Sequence, residues 1–562
     1  MTRKRHSLAV LVEVGFLLSG SARAELRARV VSPLVQVFPD SPAPTGESVA
    51  RLEAARGEWE PFQIVLTTDG PGAVSARASA LIGDAGRIEP PALYRVGYLR
   101  VNTPSSVEGH AGRWPDVLIP DVDRYVGEKR WAFPFALPRG ETRAIWVLTF
   151  VPETTPPGRY RGDVTVEQTG APSVKVPIEL TVHGFVLPRT PSLPATFGFS
   201  SHAVPEAHAR YRPMAESEIA PLLLRYGISA LRHRVSLICG TEAPPWKPRG
   251  DAVEIDFSAY DAAIGPLLDG TADRGGPAEG ARFAATDLRI PEHLGRVVHE
   301  RYARAMVAHL RERGWLSRVF DYTFDEPSDR EWAEVRVRAA RIRRAAPEVP
   351  RLVTTPFTPV LAGAVDIWCP VVNELDDKPG NARSPGRAAY DARLAAGERL
   401  WWYQSCMSNG CELTGDQYHT GWPSLVVDAP AVSHRIFEWL TYHYRIGGEL
   451  YYNTVKAYEE GNDPWREQHL PSGNGDGTLF YPGDPQVIGG RTPIPVDSVR
   501  LELIREGLED YEYLRLHEQR FGRAATDAII TSVASRTWQW QKDGARLLAA
   551  RHRLAAELDA AR

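Results

Sequence analysis

Residues Pro188-Arg189-Thr190-Pro191-Ser192-Leu193-Pro194 place prolines at every third position, and the hydrophobic rhythm of the chain changes across them. Before this stiff segment, short runs alternate between apolar and polar residues, as in Phe62-Gln63-Ile64-Val65-Leu66, Ala144-Ile145-Trp146-Val147-Leu148 and Val174-Lys175-Val176-Pro177-Ile178-Glu179-Leu180. A period of two is that of a strand with one face against a core, and the Pro, Gly and Asp between runs are turn formers. Residues 25–188 are therefore expected to form a β-sandwich. The proline-rich segment is the expected domain boundary.

After Pro194, short apolar runs alternate with longer stretches of helical period, the pattern of an α/β domain. Eight strands are expected: Thr196 to Ser200, Ala230 to Leu237, Ala281 to Ala285, Val319 to Asp325, Arg351 to Thr355, Val365 to Val371, Arg399 to Gln404 and Glu449 to Asn453. Helices are expected from Pro291 to Arg313 and from Ser328 through Arg344. Eight such repeats point to a (β/α)8 TIM-like barrel over 195–515. A core-facing stripe of Leu501, Ile504, Leu508, Tyr511 and Leu514 predicts a helix from Val499 to Gln519. Further C-terminal helices are expected over 516–562, with Trp538 and Trp540 packing them onto the barrel.

The chain opens with Arg3, Lys4 and Arg5, then an apolar stretch from Leu8 to Gly20, then Ala22-Arg23-Ala24. That order is the pattern of an export signal over residues 1–24, too short to stay as a spanning helix. A periplasmic or secreted protein is the expectation. With a net charge of −4 and no dense basic tract, nucleic acid is excluded as partner. There are four cysteines in 562 residues, so disulfides do not hold the fold together. Cys406 and Cys411 share one short loop and suit a local bridge in an oxidising compartment. Cys239 and Cys369 lie in apolar runs and are expected as buried free thiols. No paired metal-ligand spacing is present, and no cofactor or metal is expected. Asn474-Gly475-Asp476-Gly477 lacks the later acidic ligands of a calcium loop and is expected to be a tight turn.

Chemistry concentrates in Val319-Phe320-Asp321-Tyr322-Thr323-Phe324-Asp325-Glu326-Pro327. An alternating strand ends there in two adjacent carboxylates, and strand C-termini are where catalytic groups gather in a barrel. Pro327 disfavours a helical Glu326 and is expected to hold it extended. Neighbours on a flat strand point to opposite sides, so both carboxylates can serve one ligand only if the chain turns. A helix start fits the same residues, with Ser328 as cap and acidic side chains offsetting the dipole. Rings and amides suited to a sugar stand at other strand ends: His233, Trp368, Asn373, Trp401, Tyr403, Tyr452 and Asn453 are the candidate substrate contacts. Fifteen tryptophans and twenty tyrosines are compatible with such a site, although core packing uses most of them.

Four segments together resemble glycoside hydrolase family 123: Asp325-Glu326-Pro327, Val365-Asp366-Ile367-Trp368-Cys369-Pro370, Leu400-Trp401-Trp402-Tyr403, and Gly475-Asp476-Gly477-Thr478-Leu479-Phe480-Tyr481-Pro482-Gly483. The helix from Arg500 to Leu514 resembles the one that closes that family's catalytic region, and Gly57-Glu58 with Gln63 resembles its sandwich. The resemblance implies a β-N-acetylgalactosaminidase acting by substrate assistance. It makes Glu326 the general acid and Asp325 the group that orients the 2-acetamido substituent. Two other readings remain open: a glycosidase of different specificity with a separate nucleophile at Glu374 or Glu449, and a non-catalytic carbohydrate-binding protein.

Overall fold

The computed structural model describes residues 24–291, 293–376, 378–379, 385–405, 408, 418–470 and 473–561. Residues 1–23 of the expected leader, and both Cys406 and Cys411, lie outside the described residues. Among those described, no helix is long and apolar enough to cross a membrane.

Two antiparallel-rich sheets occupy the N-terminal third. One has the order Leu26–Val31, Glu58–Thr68, Arg143–Val151, Ala92–Val101, Gly112–Pro120. The other is built on Ala50–Arg56, Val174–Val186, Gly158–Gln168, Gly72–Ala78 and Phe135–Leu137. Along Val174–Val186 the side chains of Val176, Ile178, Leu180 and Val182 are buried while Lys175, Pro177, Glu179 and Thr181 face water. That alternation packs one face against Phe62, Ile64 and Leu66 of the facing sheet. The strand Glu58–Thr68 buries its opposite face too. Trp59 and Val65, with Trp146 and Leu148 beside them, join the core of the C-terminal region.

Beyond Pro194, besides four antiparallel two-stranded ribbons, nine short strands among the described residues run parallel to their neighbours. They are β1 (Ala195–Gly198), β2 (Ser236–Ile238), β3 (Thr286–Asp287), β4 (Val319–Phe324), β5 (Arg351–Val353), β6 (Ile367–Trp368), β7 (Arg399–Leu400), β8 (Trp402–Gln404) and β9 (Glu449–Tyr451). They form two sheets, ordered β2-β1-β9-β8 and β3-β4-β5-β6-β7. A parallel bridge between Val371 and Tyr403 links them. The run expected as one strand from Arg399 to Gln404 is broken at Trp401. The expected strand from Ala230 is also corrected: α1 (Glu216–Arg232) continues through Ala230, and the strand starts only at Ser236. Thr286–Asp287 replaces the strand expected over Ala281 to Ala285.

Four further helices matter for the site and its support: α2 (Trp332–Ala345), α3 (Ser433–His443), α4 (Val499–Phe521) and α5 (Gly544–Ala560). α4 starts where the Ser498 side chain accepts the Leu501 N–H, and Gly522 at φ +81° ends it. α4 is buried on nearly every side, charged residues included. Its charges are paired: Arg500 with Asp116 of the sandwich at 2.8 Å, Arg505 with Glu502 at 2.6 Å, and Asp510 with Arg435 of α3 at 2.7 Å. Tyr513 donates to Glu58 of the sandwich at 2.6 Å, and Arg551 of α5 pairs with the same carboxylate. Trp540 Nε1 donates to the Gly421 carbonyl at 2.8 Å, tying the C-terminal segment down.

The Asp116–Arg500 pair gives a stability test. Asp116→Ala leaves a guanidinium buried without counter-charge and is expected to cost ~3–5 kcal/mol. Chemical denaturation measures it, and a loss below ~1 kcal/mol would show that the interface does not depend on the pair.

Candidate active site

The geometry of the two carboxylates is set by an irregularity in β4. Asp321 and Tyr322 pair with Arg351 and Leu352, but Val353 pairs with Phe324, so Thr323 is an extra residue. A bulge reverses the inside–outside alternation beyond it. Before it, Phe320 and Tyr322 face a small apolar cluster with Leu352, Ile367 and Trp401. Asp321 and Thr323 lie on the other side, where the Thr323 hydroxyl donates to Asp321 at 2.5 Å. Burial pushes the Asp321 carboxyl up to about 6. After the bulge, Phe324 packs beneath the Arg338 guanidinium of α2 at 4.7 Å. Asp325 turns back toward Tyr322, whose O–H donates to its Oδ1 at 2.8 Å.

A second departure follows at once. Glu326 has φ +44°, in the left-handed region, where the sequence leads one to expect an extended residue. For a side chain with a Cβ this costs ~1–3 kcal/mol and persists only where neighbours hold it. Thr354, just past β5, is one of those neighbours. Its Oγ1 accepts the Glu326 N–H at 2.6 Å and donates to Asp325 Oδ1 at 2.9 Å. Tyr403 at the end of β8 donates its O–H to Glu326 Oε1 at 2.5 Å. Bulge and left-handed turn thus bring consecutive carboxylates to one rim, each exposed and each held by hydroxyls. The cap reading fails: α2 begins at Trp332, and Ser328 bonds Glu331 instead of a helix N-terminus.

Burial, then the Asp325 charge, pushes the Tyr322 phenol well above its usual range. Burial and then Glu326 do the same to Tyr403. Both rings therefore remain donors at any working pH. Beside Glu326 opens a cleft of about 840 Å³, lined also by Tyr403, Glu374, Thr354, Trp332 and Phe357. Because Thr354 contacts both carboxylate residues, Thr354→Val is expected to lower kcat by roughly tenfold to a hundredfold through misplacement alone. Steady-state kinetics unchanged from wild type would remove Thr354 from the positioning of the pair.

The other expected contacts separate into two groups. Tyr403 stands at the rim, and Asn373 is buried in the short turn after β6, next to Glu374, which lines the cleft. His233 does not reach the rim. It follows α1 and precedes β2, so it lies at the opposite end of the parallel strands, bonded to the Ser229 carbonyl at 2.8 Å and to Glu502 at 3.2 Å. Trp368 is fully buried in the main core, donating to Glu398 at 2.6 Å and packing edge-on against Phe357. Trp401 is buried in the small cluster against Phe320. Asn453 turns back on the backbone, accepting the Thr454 and Val455 N–H groups. Tyr452 is half-buried and donates to Asp476 at 3.3 Å. Asp476 lies in the Gly475–Gly477 turn, where both glycines have positive φ. Glu449 begins β9, fully buried and bonded to Thr441, which removes it as a nucleophile. Cys369 is buried as expected, but Cys239 is exposed, because β2 ends at Ile238.

Among the described residues, His233, Asp497 and Glu502 form a group whose spacing could hold a metal ion. Glu502 is already paired with Arg505, and Asp497 accepts the Ser229 hydroxyl at 2.6 Å. The adjoining cavity of about 30 Å³ has room for a water, not a sugar. The group is a buried ion-pair cluster at the sandwich interface.

The sequence model of the glycoside hydrolase 123 catalytic domain matches residues 290–517. No curated protein sequence matches the chain. Among solved structures, a family 123 glycoside hydrolase from Clostridium perfringens, described for glycolipid glycan hydrolysis, aligns with TM-score 0.65 at 15% identity, covering 95% of this chain and 98% of that one. A GH5 xyloglucanase from Bacteroides ovatus aligns over 83% of this chain and 99% of its own at 10% identity, but with TM-score 0.28. At 15% identity the first likeness speaks to the fold, and the domain match speaks to the site it contains. Asp325, Glu326 and Tyr403 all lie inside the stretch that matches the glycoside hydrolase 123 catalytic domain, and on that match the protein is a glycoside hydrolase.

Proposed function

We propose that the protein is exported and removes terminal β-linked N-acetylhexosamine, N-acetylgalactosamine in particular, by a substrate-assisted retaining mechanism without a cofactor. The observation that carries this reading is the placement of consecutive carboxylates on one rim by the Thr323 bulge and the left-handed Glu326. A double-displacement enzyme needs its carboxylates on opposite faces of the ring, about 5–5.5 Å apart. Adjacent residues served by a shared Thr354 suit a division of labour on one side. Glu326 delivers a proton to the glycosidic oxygen as the acetamido carbonyl oxygen attacks C1 and the C1–O bond breaks. Asp325 accepts the acetamido N–H and stabilises the positive charge of the cyclised intermediate. Glu326 then takes a proton from the water that reopens it, giving retention.

The two parallel sheets are read as one (β/α)8 barrel. Support comes from the Val371–Tyr403 bridge and from a cluster that draws Ile238, Phe320, Leu352, Ile367, Trp401 and Leu450 together from both sheets. Between β2 and β3 side chains replace the ladder: Asp287 accepts the Cys239 N–H at 3.1 Å. Export rests on the N-terminal leader pattern. A panel of β-glycosides that differ in the sugar tests the assignment. Faster release of N-acetylgalactosamine than of galactose, glucose or N-acetylglucosamine is expected, and equal rates would overturn it.

A further inference from the structure

We propose that a hairpin near the C-terminus is a positioning element of the active site, with Arg536 and Trp538 holding the Asn373–Glu374 turn of the rim through Asp376 and Lys378. The hairpin pairs Ala534–Arg536 with Gln539–Trp540 and carries Thr537 and Trp538 at its tip. In sequence it follows α4, outside the strands that form the rim. Two paired strands are marginally stable alone, so such a hairpin is held by what it docks on. Here that is the segment after β6, whose turn Val372–Glu374 puts Glu374 into the wall of the cleft beside Glu326 and Tyr403.

The hairpin grips this segment twice. Asp376, buried just after that turn, accepts the Arg536 guanidinium at 3.0 Å and the Thr537 N–H and hydroxyl, each at 3.3 Å. Tyr444, directly after α3, donates to the same carboxylate. Hydrogen bonds to an ionised group are about twice as strong as neutral ones. The second grip is a cage of rings around the Lys378 ammonium. Its Nζ lies 5.6 Å from the ring centre of Tyr418, 5.2 Å from that of Trp422 and 5.4 Å from that of Trp538. All three are within the ~6 Å over which a ring face attracts a cation. Lys378 also donates to the Tyr418 and Thr420 carbonyls, both at 2.6 Å. The cage is tied back to the turn, because the Tyr418 hydroxyl donates to the Asn373 carbonyl at 3.4 Å. Asp325 and Glu326 are held separately, by Tyr322, Thr354 and Tyr403. Loosening the hairpin therefore leaves the acid in place and displaces only the wall that Glu374 supplies, a loss in binding and not in the chemical step.

The test uses the full chain carrying Arg536→Ala or Trp538→Ala; both side chains reach solvent and neither lines the cleft. On the β-glycoside that the wild-type enzyme cleaves fastest, KM should rise on the order of tenfold in either variant, with kcat within about twofold. Arg536→Lys keeps the charge and should recover most of the wild-type KM. In hydrogen exchange the amides of Val371 to Asp376 should exchange faster, while those of α4 stay as protected as in wild type. An unchanged KM would overturn the inference. So would unchanged exchange over Val371 to Asp376, or a loss of protection spread equally over α4, the mark of general loosening. The inference requires only that this rim is the active site, not a particular sugar. A galactoside cleaved faster than an N-acetylgalactosaminide would overturn the proposed function, and the same two measurements would still decide the role of the hairpin.

Discussion

Glu326→Gln is expected to lower turnover by a factor on the order of 10² to 10⁴ on substrates whose leaving group needs a proton. The substitution is close to isosteric, and its carbonyl oxygen can still accept the Tyr403 hydrogen bond now made at 2.5 Å. Position is thereby preserved, and only the transferable proton is lost. Folding should be unaffected, because the side chain is exposed at the rim. Aryl glycosides with good leaving groups should show a much smaller loss, since they need little protonation. Tyr403→Phe should cost less than Glu326→Gln, as it removes only an anchor. If the Gln variant kept wild-type rates on an alkyl or glycosyl leaving group, Glu326 would not be the acid.

Replacing the 2-acetamido group of the substrate by hydroxyl should abolish activity, since the substituent is the nucleophile in the proposed mechanism. Asp325→Asn should damage the same step. Its Oδ1 is already occupied by Tyr322 and Thr354, so Oδ2 is the oxygen left to receive an acetamido N–H. An amide nitrogen at that position would present a donor to a donor. A thiazoline that mimics the cyclised intermediate should bind far more tightly than the product sugar. The competing route would use Glu374, which lines the same cleft, as a separate nucleophile. It predicts the reverse: 2-hydroxy sugars cleaved well, and a Glu374→Gln variant trapped or inactive. Comparable rates on galactosides and N-acetylgalactosaminides would therefore count against substrate assistance.

How much of this could be read from the chain depends on parity. The Asp325-Glu326-Pro327 strand end is visible because two carboxylates at the close of an apolar run are unusual under any reading. The Thr323 bulge is not visible, since nothing in Tyr322-Thr323-Phe324 distinguishes an extra residue from a paired one. Tyr322 and Thr354 escaped notice for that reason: their roles depend on the face to which the bulge returns Asp325. Tyr322 lies three residues before Asp325, and a phenol so close to a carboxylate at a strand end was a usable signal. Trp368 and Trp401 show the converse. Strands buried on both faces carry no alternation to say which side is which, so Trp368 joins the main core and Trp401 the small cluster around Phe320. His233 was misplaced by a helix read as a strand: Ala230-Leu231-Arg232 continues α1, and Arg234 at φ +62° makes the turn into β2. The strand Val174–Val186, with one face wet, keeps its period of two and is legible, whereas Glu58–Thr68 is buried on both faces.

The helix Val499–Phe521 has a consequence for how such a protein can evolve. Its charges are neutralised by residues from three directions: Asp116 from the sandwich, Arg435 from α3, and Arg551 from α5, which pairs with Asp510 at 3.2 Å and also with Glu58 of the sandwich. A domain joined to its neighbour only by a linker and an apolar patch can be exchanged for another by recombination. Here an incoming sandwich without an acid at the position of Asp116 would leave Arg500 buried without its counter-charge, at several kcal/mol, and one without Glu58 would take from Arg551 one of its partners, leaving it Asp510 of α4. The sandwich and the catalytic region are therefore expected to be inherited as a single unit, with the proline-rich segment between them marking a change of architecture and not a point of exchange.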